Sequence, residues 1–211
     1  MGIDGSGKSS AIGAIANRYV GYDDVICIAK RQRVHFDRVR REMPASASRS
    51  EDYRSGAFAE AVRIAHALDF LQLYDDEVAP LLKEAKCIVA DRWSYCAQAF
   101  AACLQGVAPE VERLLSRVAS PDYVLWLRAS PEEAYERICK VRQPNIDEHP
   151  EILRDFMKGY EMVLGKVETA IFRAAPPSPE SAADQLERLV RLARDRAPGS
   201  LREFEPAGDE S

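Results

Sequence analysis

The sequence is short of the patterns that would assign it to a membrane, disulfide-bonded or nucleic-acid-binding class. No apolar run approaches the length of a bilayer span, and we expect neither a membrane segment nor a signal peptide. The five cysteines form no Cys-x-x-Cys pair and are odd in number, so we expect reduced, buried thiols in a cytoplasmic protein. A net charge of −5 argues against nonspecific binding of nucleic acid.

Two further absences narrow the chemistry. His35, His66 and His149 have no cysteine or histidine partner at ligand spacing, which argues against a metal site built on them. The Asn-Lys-x-Asp sequence that recognises guanine does not occur, which argues against a GTPase switch. The remaining composition, 46% apolar and 30% charged over 211 residues, is that of a single globular domain.

The first ten residues, MGIDGSGKSS, fit the GxxxxGK[ST] pattern of a phosphate-binding loop. Gly2, Gly5 and Gly7 allow tight turns and bring backbone N–H groups close to phosphate oxygens. Lys8 would reach the terminal phosphates, and the Ser9 hydroxyl would complete the shell of a Mg²⁺ ion. A flexible glycine-rich segment is the alternative, but a predicted helix from Lys8 to Tyr19 follows where the motif requires one, so we favour a nucleotide-binding loop.

Short apolar runs alternate with long helical stretches, which predicts an α/β fold with a parallel sheet flanked by helices on both faces. The predicted strands are 25–29, 87–90, 123–127 and, more weakly, 170–172. The predicted helices are 53–84 with a break near Asp75, 95–104, 110–118, 131–141, 150–166 and 179–194. The segment 197–211, rich in proline, glycine and acidic residues, is expected to be a flexible tail outside a domain spanning 1–196.

A phosphate-binding loop normally follows a central buried strand, and only Met1 and Gly2 precede this one. Without that strand the sheet should have a gap at its centre, with apolar surface and unpaired backbone. The true start lies upstream, another segment fills the gap, or the protein is defective as written. We favour a misassigned start.

The run CIVADRW places a second polar signal at the end of a predicted strand. Asp91, beside the loop, would hold Mg²⁺ through water or orient an acceptor hydroxyl. Arg92 offers a planar fork suited to a phosphate monoester. The alternative is an Asp–Arg pair exposed to water at a strand end. We favour the phosphate site because the chain also carries a phosphate-binding loop.

Three segments, GIDGSGKSS, ADRWSYCAQAF and SPDYVLWLRASPEEAYERI, resemble the thymidylate kinases in the same order along the chain, from Gly2 to about Arg194. The resemblance implies a P-loop NTPase fold with a five-stranded parallel sheet and a mobile lid. It also implies phosphoryl transfer from ATP with Mg²⁺ to a nucleoside monophosphate, most simply dTMP, by a homodimer.

Carried over position by position, the resemblance assigns catalytic roles to Lys8, Asp91, Arg92 and Arg142. Asp4 would lie near the sugar of the acceptor, and Arg92 would hold the acceptor phosphate. Arg142 begins the lid, at about 142–150, where it would neutralise the transferring phosphoryl group. The residues implied for ATP are Gly2, Asp4, Gly5, Ser6, Gly7, Lys8, Ser9, Ser10 and Arg137.

Some of these residues have simpler interpretations. Arg137 and Arg142 would equally suit a solvated helix face, and Asp4 a turn in which the side chain bonds its own backbone.

The acceptor side departs from the family pattern. His66 stands where the family usually has an aromatic residue that stacks on thymine, and Phe70 where it has an arginine that hydrogen-bonds the base. Loss of that donor should loosen or redirect base selection. Phe100 is also implied at the acceptor. Residues 29–42 form a basic stretch that a solvated helix face explains, although one or two of its arginines could bind an anionic acceptor.

Two other functions therefore stay open. One keeps the kinase fold but changes the acceptor to another nucleotide or a small phosphorylated metabolite. The other is a non-catalytic nucleotide-binding protein derived from a kinase.

Overall fold

A computed structural model describes residues 1–28, 34–42, 56–84, 86–103, 109–175 and 178–195. Within these ranges the chain alternates short strands with longer helices, as predicted. The strands are β1 (Val25–Ile28), β2 (Cys87–Ala90), β3 (Tyr123–Leu127) and β4 (Ala170–Ala174). The helices are α1 (Lys8–Arg18), α2 (Val34–Arg41), α3 (Gly56–Leu73), α4 (Ala79–Lys83), α5 (Ser94–Cys103), α6 (Pro109–Leu115), α7 (Pro131–Cys139), α8 (Pro150–Leu164) and α9 (Pro179–Asp195).

Local sequence signals account for most of these boundaries. Helix α7 begins at a capping box in which Glu133 N–H donates to Ser130 Oγ at 3.2 Å and Ser130 N–H donates to Glu133 Oε2 at 3.1 Å. The predicted break near Asp75 is a turn of π-helix, Tyr74–Val78, between α3 and α4. Strand β4 is longer than predicted and ends at Ala174.

Some expectations need correction or cannot be assessed. The described part of the basic stretch, residues 34–42, contains the helix α2, which is not simply solvated, since Phe36 within it is fully buried. Residues 29–33 lie outside the described residues. All five cysteines are free thiols; Cys96 is buried as expected, whereas Cys139 is exposed. Residues 53–55 and the predicted tail 197–211 lie outside the described residues. No helix among the described residues is both long and apolar enough to cross a membrane.

The four strands form two separate parallel pairs. β1 pairs with β2, from Val25 opposite Cys87 to Ile28 opposite Ala90. β3 pairs with β4, from Tyr123 opposite Ala170 to Leu127 opposite Ala174. Among the described residues no strand joins the pairs, so the expected gap is confirmed and the implied five-stranded sheet is not formed.

A cleft of about 1130 Å³ lies between β2 and β3 and includes all four residues of β2 in its lining. At one end, Met1 runs beside β3. Leu127 N–H donates to Met1 O at 2.8 Å, and the Met1 amino group donates to Leu125 O. In a parallel ladder these two bonds place Met1 opposite Trp126. Met1 therefore pairs with the free edge of β3 at the point where the phosphate-binding loop begins.

Helices α5 and α8 pack more closely than ordinary side chains would allow. Gly159 of α8 lies against the backbone of Ala99 in α5, and a Cβ at this glycine would collide with the Ala99 carbonyl oxygen. Ala99 and Leu153 are buried beside this contact. A glycine within a helix costs stability, so its presence here reflects the short interhelical distance.

Replacement of Gly159 by alanine should separate these helices and lower the free energy of unfolding by about 1–3 kcal/mol through overpacking. Gly13→Ala is the matched control, because Gly13 lies inside α1, is exposed and has no neighbouring atom within 4 Å of the position that an added Cβ would take. The control should raise stability by roughly 0.5–1 kcal/mol. Urea unfolding followed by circular dichroism measures both, and equal effects of the two substitutions would contradict the close packing.

Candidate active site

The phosphate-binding loop connects Met1 to α1 with the predicted conformation. Gly7 is the N-cap of α1 and has φ 88°, a left-handed value that favours glycine. Gly5, at φ 81°, lies so close to Ala134 of α7 that a side chain would collide with its backbone. The loop therefore wraps around the start of α1 and is braced on one side by α7.

Lys8 is enclosed by this loop. Its side chain is 7% exposed, and its Nζ donates to Ile3 O at 2.6 Å and lies 3.7 Å from Asp4 Oδ1. The pKa of Lys8 is lowered to about 8, chiefly by burial and also by the nearby Arg92, while Asp4 and Asp91 oppose the shift. A buried ammonium group with few partners would be stabilised by a negatively charged phosphate oxygen.

The end of β2 meets the loop. Asp91 N–H donates to Ile28 O at 2.9 Å, which continues the pairing of β2 with β1. Ser9 Oγ donates to Asp91 Oδ2 at 2.8 Å, so the two residues predicted to hold magnesium are adjacent. Asp91 Oδ1 is buried and makes no hydrogen bond. The available oxygen atoms are the hard ligands that Mg²⁺ prefers, directly or through water, so these residues fit the ion.

Arg92 joins the same group from the next position. Its backbone φ is 77°, a strained value for a non-glycine residue of the kind found at functional sites. Its Nη2 pairs with Asp4 Oδ1, and its buried Nε makes no hydrogen bond. Burial acts to lower the pKa of Arg92, but Asp4, Tyr160, Cys96 and Asp91 together outweigh it and raise the pKa, so the guanidinium stays charged.

The segment predicted to form the lid, at about 142–150, carries a further arginine. Arg142 forms a two-point ion pair with Glu148, at 2.7 Å and 2.5 Å, in the segment around a short 3₁₀ turn, Ile146–Glu148. This pair raises the pKa of Arg142, and Asp4 contributes to the shift. Arg137 of α7 reaches the Gly5 carbonyl oxygen at 3.5 Å. Arg137 therefore contacts the phosphate-binding loop from α7, whereas Arg142 pairs within the predicted lid, and both residues are exposed.

Among the remaining loop residues predicted to contact ATP, Ser6 is buried and Ser10 is exposed. Ser6 Oγ makes no hydrogen bond, whereas Ser10 lies in the first turn of α1. Gly2 packs against the Leu127 carbonyl, where a side chain would not fit.

Three of the predicted acceptor residues, His66, Phe70 and Phe100, lie together in an aromatic cluster. The His66 ring is 5.2 Å from that of Phe70 and 5.0 Å from that of Phe100. Phe36 of α2 joins this cluster, 5.3 Å from His66 and 5.7 Å from Phe100, with no exposed surface. Phe36 was missed by sequence reasoning, although it is the only phenylalanine, tyrosine or tryptophan in the basic stretch.

Asp69 is a second residue that the sequence did not identify. Its two carboxylate oxygens accept from His35 N–H at 2.8 Å and Phe36 N–H at 3.0 Å, so Asp69 caps the start of α2. Burial raises the pKa of Asp69 although these backbone donors oppose the shift. The only sequence signal was a carboxylate in the otherwise apolar run AHALDFLQL. Asp69 fixes where Phe36 enters the aromatic cluster.

A glycine loop on a helix N-terminus, a buried lysine and an Asp-Arg pair at a neighbouring strand end define the P-loop class of nucleotide-binding proteins. Comparison with known proteins is more specific. The thymidylate kinase family profile matches residues 2–185. The chain belongs to the thymidylate kinase family.

Two relatives carry matching names. A protein of Methanocorpusculum labreanum named probable thymidylate kinase is 29% identical over 199 residues, covering 90% of this chain and 94% of the relative. A protein of Saccharolobus solfataricus named probable thymidylate kinase 2 is 29% identical over 142 residues, covering 67% of this chain and 63% of the relative.

The burial of Lys8 predicts a particular dependence of stability on pH. Its folded pKa of about 8 lies below the ordinary 10.5, so below pH 8 the ammonium is charged in both states and its burial destabilises the fold in full. Between pH 8 and 10.5 the unfolded state binds the extra proton, and the penalty is progressively lost. Lys8→Met should therefore be more stable than the wild type at pH 7, by about 1–3 kcal/mol.

Denaturant unfolding of both proteins from pH 7 to 10.5 measures this difference, which should shrink above pH 8. A difference that stayed constant over this range would show that burial of the charge is not its cause. Since other ionisable groups are common to both proteins, their contributions largely cancel.

Proposed function

We propose that this protein transfers the γ-phosphoryl group of ATP to a deoxynucleoside monophosphate, with dTMP as the acceptor. The observation that carries the proposal is the convergence of four charged side chains from two segments: Asp4 and Lys8 of the loop, and Asp91 and Arg92 after β2. Membership of the thymidylate kinase family supports the same reaction and substrate class.

The loop residues act on the donor. Backbone N–H groups at the start of α1 and the Lys8 ammonium bind the phosphates, since both present positive charge to the same space. Ser9 and Asp91 are the residues that would hold a magnesium ion. When bound, that ion supplies positive charge to the phosphate oxygens.

Arg92 acts on the acceptor. Its guanidinium is charged, constrained by a strained backbone and held by Asp4, so it can offer a fixed fork to a phosphate monoester. On binding, the acceptor phosphate would share the Arg92 guanidinium with the Asp4 carboxylate or replace this carboxylate as its partner. Asp4, whose Oδ1 also lies 3.7 Å from Lys8 Nζ, would then contact the sugar. The enzyme thus contributes position and charge rather than a covalent intermediate.

The aromatic cluster favours a second candidate acceptor. Phe70 stands where the family usually has an arginine that hydrogen-bonds thymine, and it packs against His66. The rings of His66, Phe70 and Phe100 are buried, and Phe70 has no group that can donate a hydrogen bond to a base. A base bound beside this cluster would be selected weakly among pyrimidines, because a site without the hydrogen-bond donor discriminates weakly. The second candidate is therefore a different or modified pyrimidine monophosphate.

We also propose that the protein acts as a homodimer in the cytoplasm, with ATP and the monophosphate as its partners and without nucleic acid or membrane. The family resemblance supports the dimer and the two substrates. The net charge of −5 argues against nucleic acid, the lack of a long apolar run against a membrane, and the five unpaired cysteines favour the cytoplasm.

An acceptor screen tests the reaction. ADP release from ATP and Mg²⁺ is followed in a coupled assay with dTMP, dUMP, other deoxynucleoside monophosphates and small phosphorylated metabolites. We expect the highest kcat/KM with dTMP and measurable activity with other pyrimidines. Preference for a different pyrimidine would favour the second candidate, and ATP binding without any acceptor-dependent release would favour a non-catalytic protein.

Arg92→Ala should raise the KM for the acceptor and lower kcat, with kcat/KM falling by about 10²-fold or more, because a charge-assisted phosphate contact is lost. Lys8→Ala should abolish turnover. Arg154→Ala is the matched control, since Arg154 also pairs with a carboxylate, Glu132 at 2.6 Å, but on an exposed surface. Unchanged kinetics in Arg92→Ala would disprove its assignment to the acceptor phosphate.

A further inference from the structure

The lid segment carries two adjacent acidic residues that face arginines from different parts of the molecule. Glu148 pairs with Arg142 within the lid, and Asp147 lies 3.6 Å from Arg40 of α2. Both acidic side chains are buried, Glu148 at 3% and Asp147 at 9% exposure. Carboxylates on a lid over an anion-binding loop are unexpected, because they repel the phosphates that the lid should cover.

The buried Glu148 carboxylate is stabilised by hydrogen bonds from within its own segment. Both oxygens of Glu148 accept from separate Arg142 nitrogens, and Asn145 N–H donates to Glu148 Oε2 at 2.7 Å. Burial acts to raise the pKa of Glu148, but these hydrogen bonds outweigh it and lower the pKa, so the carboxylate is charged at neutral pH. The guanidinium fork is thus filled by a buried, ionised partner.

The pair follows α7, the helix that contacts the phosphate-binding loop through Ala134 at Gly5 and through Arg137, which donates to the Gly5 carbonyl oxygen at 3.5 Å. The Asp4 carboxylate acts electrostatically on both Arg142 and Glu148. Arg142 keeps 49% of its side chain exposed, while Glu148 keeps 4%. The arginine can therefore turn from its partner toward solvent and the loop, whereas Glu148 is fixed by the backbone of its own turn.

We propose that Glu148 is a latch that competes with nucleotide phosphate for Arg142. A carboxylate and a phosphate present the same two-oxygen edge to a guanidinium, so one fork cannot bind both fully. In the absence of nucleotide, Glu148 pairs with Arg142 and neutralises its charge. Nucleotide binding exchanges this partner for a phosphate oxygen. The latch rests on the proposed function, since it requires that the loop binds a nucleoside triphosphate.

Calorimetric titration of ATP with Mg²⁺ into the full chain tests the latch without turnover. Glu148→Gln keeps the shape of the side chain and an oxygen that can accept from Asn145, but removes the charge that competes for Arg142. We expect ATP to bind roughly three- to tenfold more tightly, the range for a partly exposed charged pair. Glu132→Gln is the control, because it removes the carboxylate of an exposed arginine pair away from the loop, and it should leave the dissociation constant unchanged.

A double-mutant cycle separates competition from a structural role. In an Arg142→Ala background, Glu148→Gln should change ATP affinity much less than in the wild type, because the contested guanidinium is gone and only the repulsion between Glu148 and phosphate remains. If Glu148 merely holds the lid turn together, its replacement would instead weaken ATP binding and lower the melting temperature in both backgrounds. That result, or equal affinity of Glu148→Gln and wild type, would overturn the latch.

The proposed function fails in a different way. A wild-type protein that did not bind ATP would contradict both the phosphate-binding loop and the latch. If the wild-type protein bound ATP but Glu148→Gln left the dissociation constant for ATP unchanged in both backgrounds, the latch alone would be contradicted.

Discussion

The burial of one positive charge organises the site. The Lys8 ammonium is withdrawn from water into a loop that offers a carbonyl oxygen and a distant carboxylate in return, which depresses its pKa. Such a group is costly to the folded protein and valuable to a phosphate ligand, so stability is given up where binding needs it. Asp4 connects this lysine to Arg92, and Ser9 connects the following helix to Asp91. These contacts hold the loop against the end of β2.

Helices, rather than strand pairing alone, hold the two halves of the sheet in place. Helices α1 and α9 contribute to two apolar clusters: Ile12 and Val190 pack with Val25 and Val89, whereas other residues of these helices pack with β3 and β4. The two strand pairs therefore share a layer of helices although no ladder joins them among the described residues. This arrangement keeps the end of β2 near the loop despite the cleft.

Sequence reasoning succeeded where the signal was local. The loop, the helix after it and the capping box of α7 depend on residues a few positions apart, and their spacing determines their geometry. The meeting of Ser9 with Asp91 was also predictable, because carboxyl ends of parallel strands lie at one edge of a sheet. The gap in the sheet followed from counting the residues before the loop.

The contacts that were missed depend on packing between distant segments. Asp69 caps a helix that begins more than thirty residues earlier in the chain, a contact that no local pattern around Asp69 predicts. Phe36 lies in a stretch whose charges indicated a solvated surface, and only its tertiary contacts with His66 and Phe100 show that it is buried. Likewise, nothing in the sequence around Arg142 distinguishes a latch from an ordinary surface pair.

The contact between Gly5 and Ala134 has a mechanical consequence. The loop backbone lies directly against α7, and α7 precedes the predicted lid. A movement of the loop would therefore displace this helix. In this way Ala134 couples the phosphate-binding loop to the helix that precedes residues 142–150.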